Sequence, residues 1–158
     1  MSQDHRSLTK HPLGLPFSST TQVCGECFWA KERGPGPKVL RCSAAGFQRV
    51  SADWRACQNF EVEPDCLDCG ACCGPAYDAV DVSPRDPVIQ KHPDLIRRKN
   101  GVLGLHRTPE NYCVALMSDN KCRIYPDRPK CCRGFEKASD NCAFARRRSG
   151  LTPHWGVF

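Results

Sequence analysis

Apolar residues along this chain come in short, interrupted runs rather than in long periodic stretches. Residues 1 to 20 are polar and mixed, with Pro12, Gly14 and Pro16 discouraging regular structure, and read as a flexible arm. The segment 83–101, SPRDPVIQKHPDLIRRKNG, predicts one broken helix or two short ones. Ser83 is its N-cap, Pro84 its first position, Pro93 the break and Gly101 the stop. The run 112–117, YCVALM, predicts a short strand, with Ser118, Asp119 and Asn120 as turn and 122–125 as the return arm. Such a hairpin would bring Cys113 and Cys122 near each other. Pro126 and Pro129 then stop the strand, and Asp127 can cap a short helix that carries Cys131 and Cys132. No repeat of fixed period is present. The organisation expected is an arm at 1–20, a first module at 21–62, a second at 63–148 and a tail at 149–158, where Trp155 and Phe158 could dock on the body.

Composition changes this picture more than periodicity does. Leu, Ile, Val and Phe supply only 30 of 158 residues, a thin core for a chain of 17.6 kDa, and small chains that bury little apolar surface borrow stability from disulfides or metals. The chain has 13 Cys. Its first residues show neither the apolar run nor the cleavage site of a signal peptide, and no stretch approaches the ~20 apolar residues of a membrane span. A cytoplasmic protein with reduced thiols is therefore expected, and there dense cysteine patterns point to metal or redox chemistry. An odd number of thiols also leaves one over in any internal pairing scheme.

The formal charge of +6 counts every thiol as neutral. Eight thiolates on two Zn2+ would bring it to about +2, so the basic excess reads as compensation for metal sites before it reads as a nucleic-acid footprint. The runs Arg146, Arg147, Arg148 and IRRK at 96–99 have too few aromatics among them for a base-stacking platform. A large multi-domain enzyme is excluded by length. No GxSxG, phosphate-binding glycine loop or HExxH occurs, and His5, His11, His92, His106 and His154 are scattered surface or packing residues. Asp86 reads as a helix N-terminal charge.

The cysteines fall into two groups. Cys24, Cys27, Cys42 and Cys57 begin with a CxxC unit whose turn holds Gly25, and two further thiols can complete a tetrahedral set. A redox CxxC is the alternative, although no strand, helix, strand pattern surrounds it. Trp54 and Phe60 are the expected small core of this module. The second group opens with CLDCGACCG at 66–74, in which Cys66, Cys69 and Cys72 have the two-residue spacing that begins an iron–sulfur cluster motif. The fourth cysteine does not follow that motif, because Cys73 adjoins Cys72. Adjacent cysteines point in different directions, so these two can serve different sites. Cys113, Cys122, Cys131, Cys132 and Cys142 follow, with Arg128 and Arg133 placed to favour thiolate forms.

CxxCxxCC at 66–73, DVSPRD at 81–86 and CVALMSDNKCRIYPDRPKCCRGF at 113–135 together resemble the YkgJ-type cysteine-cluster family, domains described as zinc- or iron-chelating. The resemblance implies metal ligands among Cys66, Cys69, Cys72, Cys73, Cys113, Cys122 and Cys132. Cys131, Cys142 and the whole N-terminal group lie outside its pattern. The expected fold is thus α+β, small, largely irregular and metal-stabilised, with short helices and a hairpin. The expected function is binding of zinc or iron through clustered thiolates, with an iron–sulfur cluster as an alternative occupant and no reaction assigned. An iron–sulfur enzyme or electron carrier and a nucleic-acid-binding zinc protein are the competing classes; metal ions are the expected partners and a membrane is not.

Overall fold

The computed structural model describes residues 9–19 and 21–154. The first eight residues of the expected arm, and Trp155 and Phe158 of the tail, lie outside the described residues. The chain forms an α+β fold of short helices and small antiparallel sheets, divided into two compact units: 1–64 together with 138–158, and 65–137. The first unit thus takes the helix at the end of the chain, which the sequence had grouped with the second module.

In the first unit three strands, β1 (Ala30–Arg33), β2 (Val39–Cys42) and β3 (Gln48–Arg49), form one antiparallel sheet in sequence order. Ala30 faces Cys42 and Arg33 faces Val39, so GPGP at 34–37 is the connection that turns β1 into β2. Their apolar content is too small to close a core alone. Trp29, with no exposed surface, supplies the bulk, and Cys24, Cys42, Ala44, Ala45 and Val50 pack around it. Trp54 lies at the margin of this cluster, so the central aromatic is Trp29, which sequence reasoning did not single out.

The helix Asp140–Arg148, α4 in chain order, completes that core with Ala143, while Ala138 just before it is also buried there. Ser139 caps it, its hydroxyl accepting the Cys142 N–H at 3.2 Å. Glu61 fastens the helix: Arg146 Nη2 donates to both carboxylate oxygens at 2.8 and 3.0 Å, Thr152 Oγ1 donates at 2.9 Å and Trp29 Nε1 at 3.3 Å. Residues 11–18, expected to stand apart as part of an arm, are stitched onto this unit. Leu15 is buried, Ser18 N–H donates to Ala56 O, Gln58 N–H donates to Pro16 O and Phe17 pairs with Cys57. Backbone amides that find strand partners override local composition.

The second unit contains α1 (Cys66–Cys69), α2 (Val88–Lys91), β4 (Ile96–Lys99), β5 (Val102–Leu105) and α3 (Lys130–Arg133). Its core is Val80, Val82, Val88, Leu95, Leu105, Cys113, Ala115 and Ile124. The segment 83–101 is helical only at 88–91 and in one tight turn at 93–95. IRRK is a strand, and Gly101 is not a helix stop. Asn100 and Gly101 have φ of 51° and 80° and turn β4 into β5 as a two-residue hairpin, since a turn with left-handed φ at both positions matches strand twist. The loop 112–125 keeps hairpin-like pairing without regular strands: Leu116 pairs with Cys122, and Arg123 N–H donates to Ala115 O.

Candidate metal centres

All thirteen cysteines are free thiols. In the first unit Cys24, Cys27, Cys42 and Cys57 line one cavity, whose other walls include His11, Leu13 and Phe60. Each arrives by a different route. Cys24 and Cys27 flank a single tight turn held by Cys24 N–H to Trp54 O and Gly25 N–H to Ala52 O. A Cβ on Gly25 would lie 3.0 Å from Ala52, so this glycine serves close backbone approach rather than an unusual turn conformation. Cys42 ends β2 and Cys57 follows the 52–56 segment. Burial first, and then the neighbouring Cys57, Cys42 and Cys27, push the Cys24 thiol up to about 12. Burial and then Cys27 and Cys57 do the same for Cys42, against which the Ala44 and Ala45 amides act as hydrogen-bond donors. The Cys57 thiol is likewise raised by burial and eased by the Asn59 amide.

In the second unit the expected thiols divide. Asp65 caps α1 by accepting the Leu67 N–H at 2.8 Å, and Gly70 ends it with φ 55°. This one-turn helix presents Cys66 and Cys69. A Cβ at residue 70 would sit 2.6 Å from Asn120 Oδ1, so the glycine of CxxCG also admits the 118–121 turn. Cys66 is raised by burial, opposed by Lys137, and feels Cys72 and Cys69. Cys72 is lowered to about 7 by its hydrogen bond with Cys73, and Arg128 acts in the same direction.

Cys73 faces another set. Its thiol is raised first by Cys72, then by burial, then by Cys113 and Cys132. Cys132 is raised by Cys131, by burial and by Cys113 and Cys122, and Cys113 by burial and Cys122, with the Ala115 amide and Arg107 opposing. Cys113 N–H donates to Cys73 O at 2.8 Å, which joins these two positions through the backbone. Thus Cys73, Cys113, Cys122 and Cys132, from four separate stretches of chain, are neighbours around the second core.

Of two positioning residues, the sequence marks Asp86 only as a helix N-terminal charge, without the helix it serves, and does not mark Arg107. Asp127 does not cap α3; it pairs with Lys91 at 2.6 Å and His92 at 3.1 Å. The carboxylate that serves α3 is Asp86, whose Oδ1 accepts the Lys130 N–H at 2.8 Å and Arg133 Nη2 at 3.3 Å, while Oδ2 accepts the Ser83 N–H at 2.8 Å. Arg107 is the other. Its Nη2 donates to the carbonyls of Gly74 and Tyr77, its Nε to Asn111, and its buried Nη1 has no hydrogen-bond partner. A guanidinium with one orphaned nitrogen beside Cys113 fits an anionic thiolate centre and would be costly beside neutral thiols.

Cys131 is exposed and donates to Asp81 O at 3.0 Å, with its sulfur 3.9 Å from that of Cys132. Cys142 rides on α4 in the first unit. Among the described residues no group of three or more His, Cys, Asp or Glu side chains is placed so that it could hold a metal ion as it stands; the thiols stand as neighbours. Where adjacent thiols share protons in this way, a divalent ion can replace those protons.

A small α+β chain whose thirteen thiols fall in two units, five in the first and eight in the second, belongs to the class of cysteine-cluster proteins. Residues 65–149, more than half of the chain, match the family model CxxCxxCC, described as "Putative zinc- or iron-chelating domain", and the chain belongs to this family. No curated protein and no solved structure matches the chain.

Proposed function

We propose that the second unit binds zinc or iron through Cys73, Cys113, Cys122 and Cys132, with Cys66, Cys69 and Cys72 as an adjoining triad. The observation that carries this reading is the convergence of four thiols from separate stretches of chain around one core, with the Arg107 guanidinium near enough to Cys113 to favour its thiolate. The family description, zinc- or iron-chelating, supports the same chemistry. When bound, such a metal supplies cross-linking and Lewis acidity. The chain's own residues hold and charge-balance it: Asp86 sets the helix bearing Cys132, and Arg107, Arg128 and Lys137 offset thiolate charge.

A second reading, an iron–sulfur cluster, is favoured by the spacing of Cys66, Cys69 and Cys72 and by the cations facing Cys66 and Cys72. Of the basic run at 146–148, Arg146 is bound to Glu61 and Arg147 donates to Ala44 O. No helix among the described residues is long and apolar enough to cross a membrane, and thiols kept reduced for metal accord with a cytoplasmic site. Anaerobic purification followed by elemental analysis and an absorption spectrum tests the proposal. Colourless protein with stoichiometric zinc supports the first reading and brown protein with iron and sulfide the second. Metal-free protein overturns both, and metal unaffected by Cys113→Ser overturns the first.

A further inference from the structure

The N-terminal quartet lies outside the segment that matches the family, and it has features of its own. From these we infer that Cys24, Cys27, Cys42 and Cys57 form a separate mononuclear tetrathiolate zinc site, with His11 as a positioning residue that donates a hydrogen bond to the Cys24 thiolate.

The first support is enclosure. All four thiols line a single cavity with only about 10 Å3 of free space for a water-sized body. That is room for about one small particle, hence for one ion and not for a polynuclear cluster. Three of the four, Cys24, Cys42 and Cys57, are buried, whereas the triad Cys66, Cys69 and Cys72 is exposed or half-buried.

The second support is that the groups around the sulfurs are donors. The amides of Ala44 and Ala45 address Cys42, and that of Asn59 addresses Cys57. The Arg147 guanidinium lies near Cys42, on a helix whose Ala143 packs into the same core. Sulfurs met by N–H groups and a cation are set up to be acceptors, as thiolates are.

His11 completes the set, and its tautomer follows from the backbone. The Leu13 N–H donates to His11 Nδ1 at 3.1 Å, so Nδ1 is an acceptor and the ring hydrogen sits on Nε2. Nε2 is 3.3 Å from Cys24 Sγ, so the bond runs from Nε2–H to sulfur. Neither nitrogen is then left to ligate, and the imidazole orients and stabilises a thiolate instead. The ring is only 2% exposed and is held edge-on to Trp54 with centroids 5.6 Å apart.

Four sulfur ligands around one small ion select tetrahedral coordination, and among metals that accept it Zn2+ binds more tightly than Fe2+. Loading exchanges the thiol protons for one Zn2+, and no oxidant or reductant takes part.

The test uses the full chain. A variant with Cys66→Ser, Cys69→Ser, Cys72→Ser, Cys73→Ser, Cys113→Ser, Cys122→Ser and Cys132→Ser should retain one zinc per chain and, after exchange with Co2+, show the visible bands of tetrahedral tetrathiolate cobalt. Cys42→Ser should lose one metal equivalent while keeping whatever the second unit binds. Because the first variant leaves the quartet intact, its result does not depend on whether the second unit holds metal, nor on whether Cys42→Ser folds. His11→Phe should shift the sulfur-to-cobalt charge-transfer band without changing stoichiometry, and His11→Gln, which restores a donor, should return it. That sevenfold variant without zinc, a non-tetrathiolate cobalt spectrum, or a Cys24–Cys27 disulfide in protein prepared without oxygen overturns the site. An unchanged band in His11→Phe overturns the role of His11.

Discussion

Asp86 is the clearest place to break the second unit without touching a thiol. Its side chain is 4% exposed and accepts the amide N–H groups of Ser83 and Lys130, both at 2.8 Å. The Lys130 amide belongs to the first turn of α3, where no partner within the helix exists. Asp86→Ala leaves both amides without their charged acceptor. Hydrogen bonds to charged groups contribute about 1.5–3 kcal/mol each, and part is recovered where water reaches the Lys130 end, so the expected local loss is about 2–4 kcal/mol. Arg133 adds little, because its side chain is 41% exposed. The two units need not unfold together, so the appropriate assay is hydrogen exchange read segment by segment. At about 1.4 kcal/mol per tenfold, amides of 129–135 should exchange roughly 30- to 700-fold faster, and Asp86→Asn, which keeps one acceptor oxygen, should fall between. Metal affinity should drop in the same order, since α3 carries Cys132. Exchange at 129–135 unchanged in Asp86→Ala would refute the role assigned to this carboxylate.

The remaining expectations concern three other residues. Gly70→Ala should weaken metal binding by the second unit, because alanine at φ 55° costs about 1–2 kcal/mol and its Cβ meets Asn120; titration with Co2+ should show partial rescue by an added Asn120→Gly. Glu61→Ala strands the buried Arg146 guanidinium and should cost the first unit about 3–5 kcal/mol in thermal unfolding, whereas Glu61→Leu with Arg146→Met should cost less than either single change. Lys91, and then His92, hold the Asp127 carboxyl below its ordinary value. A depressed value means that its stabilisation is present above the ordinary carboxylate range and is lost as pH falls through the lowered one. Asp127→Asn should therefore flatten the acid limb of a stability profile and leave neutral pH to acid range differences smaller than in the parent chain.

Much of the chemistry was legible from spacing alone. The division into two cysteine groups appears in the chain as read, whereas adjacent Cys72 and Cys73, read as pointing in different directions, hydrogen-bond to each other, with Cys113 and Cys132 also near Cys73. A turn between 117 and 122 that brings Cys113 towards Cys122 was also readable from Ser118, Asp119 and Asn120. What escaped was set by partners remote in sequence. Asp86 bonds a helix 44 positions away, and Glu61 bonds one 85 positions away; no local pattern announces either. The C-terminal helix joined the first unit because Ala143 fills space around Trp29, a matter of shape rather than periodicity. The hairpin at 96–105 was recoverable. Asn-Gly is a strong two-residue turn signal, but glycine also ends helices, and the helix reading of 83–101 absorbed it.

The account rests on sulfur-to-metal bonds in a chain with little apolar core. X-ray absorption at the metal edge, on anaerobically purified full chain, measures those bonds. A first shell of about four sulfurs near ~2.3 Å is the predicted result. A shell of nitrogen or oxygen at shorter distance, or protein that carries no metal yet remains folded with its thiols reduced, contradicts it.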